Sequence, residues 1–448
     1  MRILITVHQF LPDFSAGTEI IALGVARELV RRGHEVRIFT GFPGARVPQL
    51  DDSRLDHYVY DGLRVDRFTH AYVPMGGENN IALLEHDNPL AGRFFSSVLR
   101  EFKPDVVHAF HLARVSTSII PAAVRAGAPV VFTATDFWFT CPLSQLLLPG
   151  NKLCAGPSAH AGNCIQHIAL VEKNTRFRRA LYQAPTALVD AAGALVRRGW
   201  FPATPFNAFA KALVDRPALM RERLGMCAKI IAPSKTMQAT LIAHGVEPDR
   251  IIRVPYGIDV EHIRREAPKA RGPRLRVGFI GTLAPHKGPQ VLIRALRLLD
   301  AALPISLAIH GSADPTSPFG DELRALAQGE DRITMAGAFS NDRVSEILGA
   351  MDVLVAPSLW LENTPRVISE AQAAGCAVIA SDLGGMSESV RPGEDGLLFP
   401  AGDADALAKL LARLCNDRDL ASKLADGAKQ PMSVSAHVDG LERVYRGG

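Results

Sequence analysis

The sequence predicts an α/β protein built from two doubly wound parallel-sheet domains, and three observations carry that expectation. A chain of 448 residues with 47% hydrophobic content is too long for one ordinary core and too apolar to be disordered. Short β-rich runs alternate with amphipathic helical patterns almost from end to end, the grammar of βαβ units and parallel sheets. That grammar starts afresh at Leu275, after a polar, Pro- and Gly-bearing stretch at 262–273 that reads as a linker.

In the first half the expected strands are Ile3–Val7, Glu35–Phe39, Val106–Ala109 and Pro129–Thr133. A helix over Thr18–Arg32 follows the first of them and ends at Gly33. The second half offers strands at Leu275–Ile280, Ile305–Ile309, Ile333–Ala336, Val353–Ala356 and Ala377–Ala380, each trailed by a helical pattern. The expected domains are 1–265 and 266–448, with an insertion in the first at about 137–228. The final segment, His437–Tyr445, is a candidate for a terminal helix that returns to the first domain. From residue 165 the insertion is helical in composition and carries Arg176-Phe177-Arg178-Arg179 and Arg197-Arg198-Gly199-Trp200-Phe201. Those clusters fit the charged faces of exposed helices, or contact with a membrane surface or an anionic lipid-linked acceptor.

A formal net charge of +4 is mildly basic and lacks the dense Lys/Arg clustering of a nucleic-acid binder, so no nucleic-acid partner is expected. The opening Met1–Val7 is cut by His8, Gln9, Pro12 and Asp13, which leaves no signal-peptide core. No run of about 18 apolar residues occurs, so no spanning helix is expected. A cytoplasmic protein follows, with the inner face of the cell membrane as a candidate surface. The six cysteines are then expected as reduced thiols rather than a disulfide framework.

The most informative stretch is Ser358-Leu359-Trp360-Leu361-Glu362-Asn363-Thr364-Pro365-Arg366-Val367-Ile368-Ser369-Glu370, after the strand Val353–Ala356. Thr364 is a good N-cap and Pro365 suits the first helical position, so a helix should begin directly after Asn363. Its free N–H groups around Arg366 and Val367, with the positive end of the helix dipole, make an anion site at the carboxyl end of a parallel strand. Glu370 lies about five residues in, roughly 7–8 Å along the axis, which suits the span from a pyrophosphate to ribose hydroxyls. Two glutamates eight apart are common by chance; the surrounding block gives them meaning. It continues through Gly375-Cys376-Ala377-Val378-Ile379-Ala380-Ser381-Asp382-Leu383-Gly384-Gly385, Glu388 and Gly393-Glu394-Asp395-Gly396.

This pattern resembles the retaining GT-B glycosyltransferases of family 4, whose signature pairs Glu-x7-Glu with a following Gly-x-Pro-Val-Ile and Gly-Gly-x-x-Glu. The resemblance extends to Gly278-Phe279-Ile280-Gly281-Thr282-Leu283-Ala284-Pro285-His286-Lys287-Gly288, which looks like the family's phosphate loop, and to Pro255-Tyr256-Gly257-Ile258-Asp259. It implies two Rossmann-like domains facing a central cleft, a UDP- or GDP-type nucleotide-sugar donor bound by the second, and a glycan or lipid-linked acceptor. The sugar would be transferred with retention and without a metal, as in polysaccharide or glycoconjugate synthesis. Lys287 would meet the charge of the diphosphate leaving group. Glu362 would face the donor sugar, and Glu370 the ribose. Gly281, Thr282, Gly337, Asn363, Thr364, Pro365, Arg366 and Val367 would complete the donor site. Thr282 stands where the family often has arginine; Arg366 or the helix N-terminus is a candidate substitute.

In the first half, Gly17-Thr18-Glu19 looks like the family's Gly-Gly-x-Glu loop, where Gly17 would let the backbone approach a ligand. Asp105-Val106-Val107-His108-Ala109-Phe110-His111 matches a family strand in which His108 is expected to be a packing residue. Thr135-Asp136-Phe137-Trp138 sits where relatives have His-Asp, so Thr135 replaces a sugar-contacting histidine beside Asp136. Three thiols and an imidazole follow: Cys141, Cys154, Cys164 and His167. Some relatives carry four cysteines here, which makes His167 the replacement ligand in a structural zinc site; buried, incidental thiols are the alternative. Cys227, Cys376 and Cys415 read as packing residues. No cofactor is expected to be required for catalysis. A sugar-nucleotide epimerase and a binding-only relative on the same scaffold remain as rival readings.

Overall fold

The computed structural model describes every residue except 45–53, 71–74, 173–174, 203, 261, 264–271 and 448. The chain forms two compact units. The first comprises Met1–Pro233, Met237–Val254 and Val438–Gly448; the second comprises Ser234–Thr236 and Pro255–His437. The division falls after Val254, ahead of the stretch at 262–273, of which 264–271 lie outside the described residues.

In the first unit the strands are β1 (Arg2–Val7), β2 (Glu35–Phe42), β3 (Leu55–Tyr60), β4 (Leu63–Thr69), β5 (Val106–Ala109), β6 (Val130–Thr133), the short pair β7 (Leu147–Leu148) and β8 (Lys152–Leu153), β9 (Lys229–Ala232) and β10 (Ile251–Arg253). Eight of them form one sheet in the order β10-β9-β6-β5-β1-β2-β4-β3, parallel except for the β3–β4 hairpin. Asp61 and Gly62 close that hairpin, both with positive φ, the backbone a two-residue turn between twisted strands requires. The helix after β1 spans Gly17–Arg31. The insertion folds as helices Gly162–Glu172, Arg176–Gln183, Thr186–Arg197 and Pro205–Met226, packed round a small core that includes Ile165, Val189, Phe209 and Leu213.

The terminal helix Val434–Tyr445 enters the first unit from Val438 onward. Tyr445 Oη lies 2.6 Å from His108 Nδ1, and Thr133 Oγ1 lies 2.8 Å from His108 Nε2. His108 is fully buried, so both ring nitrogens have found partners away from water. Arg32 and His34 reach Glu442 from the end of the first helix, at 3.3 and 2.7 Å.

The second unit holds β11 (Leu275–Ile280), β12 (Ile305–His310), β13 (Ile333–Gly337), β14 (Val353–Ala356), β15 (Ala377–Ser381) and β16 (Gly396–Phe399). They form an all-parallel, six-stranded sheet in the order β13-β12-β11-β14-β15-β16, the doubly wound Rossmann order. Successive side chains alternate between faces. Val353, Val355, Ala377 and Ile379 therefore join one hydrophobic cluster, whereas Leu354, Ala356, Val378 and Ala380 join another. Helices cover both faces, which is why these strands read as unbroken apolar runs.

Candidate active site

In the second sheet the chain lays β11, β12 and β13 outward on one side, then places β14 on the other side of β11. The loops leaving β11 and β14 therefore diverge at a switch point, where open α/β sheets bind ligands beyond their carboxyl ends. The loop after β11 runs into a single turn, Pro285–Lys287, and then the helix Pro289–Arg297. Gly288 joins them with φ of 75°, and a Cβ there would lie 1.9 Å from the Pro357 carbonyl oxygen. Only glycine lets this loop pass so close to the end of β14. The Leu359 N–H donates to the His286 carbonyl at 2.7 Å and ties the two loops together.

Their side chains meet as well. Lys287 Nζ donates to Glu362 Oε1 at 2.6 Å, and Ser358 Oγ donates to the same oxygen at 2.9 Å. The ammonium also sits 5.0 Å from the centroid of the Trp360 ring, in cation–π range. Burial by itself would raise the Glu362 carboxyl, but the Lys287 cation and hydrogen bonds from Lys287, Ser358 and Trp360 outweigh it and hold the pKa below its ordinary value. His286 stands edge-on to Trp360 with ring centroids 5.4 Å apart. Burial, helped by the neighbouring Lys287 charge, pushes His286 down to about 4, so it is neutral near pH 7.

The helix beyond this pair spans Arg366–Ala373, with Pro365 as its N-cap. This corrects the expected start by one residue. Thr364 does not cap: its Oγ1 is buried without a hydrogen-bond partner, and the first carbonyl to accept is that of Pro365, from Ile368 N–H at 3.1 Å. Arg366 and Glu370 form an ion pair one turn apart on this helix, with Nη2 on Oε1. Asn363 Oδ1 accepts from Ser234 Oγ at 2.7 Å. Gly385 N–H donates to the Glu362 carbonyl at 2.7 Å, and a Cβ on Gly385 would fall 1.6 Å from the Asn363 carbonyl oxygen. Glu388 is taken up by the backbone N–H groups of Lys235 and Thr236 at 2.7 and 2.6 Å. Gly337 closes β13, and its carbonyl accepts from Gly311 at 2.8 Å. Gly281, Thr282, Lys287 and the stretch Glu362–Glu370 thus lie beyond the carboxyl ends of β11 and β14, and Gly337 is the last residue of β13. Sequence reasoning missed Ser358, His286 and Trp360 as members of this cluster; each stands within four residues of Lys287 or Glu362.

The first unit has its own switch point, between β1 and β5. Gly17 and Thr18 follow β1, and a Cβ at Gly17 would meet nothing within 4 Å, so packing does not demand glycine there. Asp136 follows β6; its Oδ2 lies 2.8 Å from His111 Nε2, and its Oδ1 accepts from Trp138 N–H at 2.9 Å. The His111 ring lies 4.3 Å, centroid to centroid, from that of His8. His8 Nε2 in turn is 3.3 Å from Glu19 Oε1. Burial pushes His8 well below its ordinary pKa, with His111 and Arg114 adding, and burial raises Glu19. His8, Glu19 and His111 were not singled out as site residues from sequence, because their convergence depends on strand order. Thr135 Oγ1 donates to the Phe110 carbonyl at 3.0 Å.

The expected zinc set does not assemble. Among the described residues no group of three or more His, Cys, Asp and Glu side chains converges to hold a metal ion, Cys141, Cys154, Cys164 and His167 included. A buried cation, Arg216, stands close enough to Cys141 and Cys164 to interact with both, where Zn²⁺ would meet like charge. Burial pushes the Cys164 thiol up to about 12, with the neighbouring Cys141 and Cys154 adding. Cys227, Cys376 and Cys415 are buried, whereas Cys141, Cys154 and Cys164 are half-buried.

The family profile for Glycosyl transferases group 1 matches residues 260–431, and that for the Glycosyl transferase 4-like domain matches residues 16–162. A D-inositol 3-phosphate glycosyltransferase of Acidothermus cellulolyticus is 34% identical over 225 residues, 45% of this chain and 49% of that protein. The chain thus spans about half the length of such relatives. A GDP-mannose-dependent alpha-mannosyltransferase of Mycobacterium tuberculosis is 26% identical over 431 residues, 93% of this chain and 89% of that one. Among solved structures, Anabaena HepE in complex with UDP and glucose aligns over 100% of this chain and 99% of its own, with a TM-score of 0.65 at 17% identity. Sucrose-phosphate synthase from Thermosynechococcus elongatus covers 100% and 98%, with a TM-score of 0.67 at 18% identity. The chain belongs to the family 4 (group 1) glycosyltransferases and has the GT-B fold.

Proposed function

We propose that this chain is a retaining, metal-independent glycosyltransferase. It would move a sugar from a UDP- or GDP-type nucleotide-diphosphate sugar to a glycan or lipid-linked acceptor, in cell-surface polysaccharide or glycoconjugate synthesis in the cytoplasm. The observation that carries the reading is the Lys287–Glu362 contact at the switch point of the second sheet, just ahead of the helix Arg366–Ala373. HepE, solved with UDP and with UDP-glucose, and the relative named for GDP-mannose support a nucleotide-diphosphate donor.

In this reading the bond between sugar C1 and the donor phosphate oxygen breaks with its electron pair going to the diphosphate. The Lys287 ammonium and the first-turn N–H groups of the helix are the positive groups that meet the developing charge. The acceptor oxygen forms its bond to C1 on the same face, and its proton passes to a donor phosphate oxygen. Glu362, held ionised, orients the ammonium and offers a carboxylate to a sugar hydroxyl. Glu370, with one oxygen fixed by Arg366, accepts from the ribose. Gly17, Thr18 and Asp136 belong to the acceptor side.

The test is turnover of UDP-, GDP- and ADP-sugars, with and without a chelator, read by nucleotide release and by the anomeric configuration of the glycoside product. Unchanged turnover under chelation and the donor's own configuration in the product are expected. An inverted product, loss of turnover on chelation, or an epimerised free sugar with no glycoside would each overturn the reading.

A further inference from the structure

The insertion of the first unit carries an outward apolar surface that its own core does not use. Helix Arg176–Gln183 contains no buried residue, and Phe177 on it is 61% exposed. The next helix, Thr186–Arg197, buries Val189 and Gly193 and turns Ala187, Leu188, Ala191 and Ala192 to solvent, with Leu188 65% exposed. A surface helix ordinarily carries its polar residues on that face. Here the helix's acidic residue, Asp190, is turned inward, where it accepts from Ser158 Oγ and from the N–H groups of His160 and Gly162 at 2.8, 2.9 and 2.8 Å, and its other charged residue, Arg197, is the last of the helix.

The helix ends on Gly199 with φ of 75°, and the Trp200 N–H donates to the Leu195 carbonyl at 3.1 Å. This Schellman closure fixes the Trp200 backbone while its ring stays 74% exposed, with Phe201 exposed beside it. The charge is of one sign. Across residues 175–211 the cations are Arg176, Arg178, Arg179, Arg197, Arg198 and Lys211, and the lone acid is the inward Asp190. Asp215 offsets part of this by pairing with Arg197 at 3.1 Å and with Lys211 at 2.5 Å. Arg176, Arg179 and Arg198 are exposed.

We propose that residues 176–201 are a docking surface for an anionic lipid bilayer, with Leu188, Trp200 and Phe177 entering the interface and the arginines on the headgroups. Exposed aliphatic and aromatic side chains flanked by arginine are the composition of a helix lying in the interface plane. The charge matches the anionic lipid, and the fixed tryptophan suits the headgroup level. Among the described residues no helix is long and apolar enough to cross a membrane. This docking does not depend on the transfer reaction proposed above.

The test is co-sedimentation of the full chain with vesicles of phosphatidylcholine alone and of phosphatidylglycerol mixed equally with phosphatidylcholine. Binding to the anionic vesicles only, weakened by salt, is expected. Arg176→Ser with Arg198→Ser should lower the partition coefficient about 25-fold, at about fivefold per arginine. Leu188→Gln with Trp200→Ser should lower it at least about tenfold. All four residues are exposed, so the melting temperatures should stay at the wild-type value, which separates lost docking from lost folding. Wild-type protein left in the supernatant with anionic vesicles, or variants that bind as the wild type does, would overturn the proposal. So would a wild-type dimer that Trp200→Ser converts to monomer, since the patch would then be a self-interface.

Discussion

Lys287 Nζ donates to Glu362 Oε1 at 2.6 Å, although the two residues stand 75 positions apart and on different loops of the second sheet. The pair is mostly enclosed, with side-chain exposures of 27% and 11%. Breaking such a pair from one side leaves a buried charge behind, whereas removing both charges does not. Lys287→Ala should therefore destabilise the protein by about 2–3 kcal/mol, as well as lower turnover by at least about 100-fold. Adding Glu362→Gln should restore most of the stability and none of the turnover. Urea midpoints and nucleotide-release rates for the single and double variants check this. A double variant no more stable than Lys287→Ala would contradict the pairing.

Glu370 has one oxygen engaged by Arg366 and sits deep in the helix that starts beside the site. Glu370→Ala should raise the donor KM by about 10-fold or more through lost ribose hydrogen bonds to a carboxylate. Arg366→Ala, which removes only the residue steadying that carboxylate, should cost less. Initial rates against donor concentration separate the two, and equal effects would show that Arg366 itself touches the donor.

The three glycines of the loops should respond differently. Gly385→Ala would drive a Cβ to 1.6 Å from the Asn363 carbonyl oxygen, and Gly288→Ala would combine φ of 75° with a 1.9 Å approach to the Pro357 carbonyl oxygen. Each should destabilise the protein by about 2 kcal/mol or more. Gly17→Ala meets nothing within 4 Å and should leave the melting temperature unchanged. Its turnover should fall all the same, since the proposed function puts Gly17 on the acceptor side.

Acid should weaken the fold through its buried histidines. His286 and His437 are both pushed down to about 4 by burial. In the unfolded chain a histidine binds its proton near pH 6.5, so between pH 6.5 and about 4 the unfolded state holds more protons and stability falls as pH falls. One such histidine accounts for about 2 kcal/mol at pH 5. Glu362, whose pKa is lowered, adds in the same direction as it protonates. Urea midpoints from pH 7.5 to 5 should therefore drop more steeply for the wild type than for His286→Asn; parallel curves would contradict the assignment.

Much of this could be read from the chain because parallel strands buried on both faces are unbroken apolar runs. Val106–Ala109, Leu275–Ile280 and Val353–Ala356 fall where the sequence puts them. β9 and β10, of four and three residues, are too short to stand out after the long helix Pro205–Met226. The β3–β4 hairpin was legible and overlooked: Asp61-Gly62 between alternating strands is its signal. Lys287, Glu362 and Glu370 were visible as motifs, but the Lys287–Glu362 contact was not, since it depends on β14 lying beside β11. His8 and His111 were hidden for the same reason in the first sheet. The cysteine spacing suggests a ligand set without revealing the buried Arg216 beside Cys141 and Cys164.

A nucleotide-diphosphate site built on Lys287, Glu370 and the start of the helix Arg366–Ala373 can be measured by calorimetric titration of UDP and GDP into the wild type, Lys287→Ala and Glu370→Ala in the presence of a chelator. At least one nucleotide should bind the wild type, and each substitution should weaken it by about tenfold or more, the loss expected for one charge-assisted hydrogen bond. Nucleotide binding of equal strength in all three proteins would contradict it.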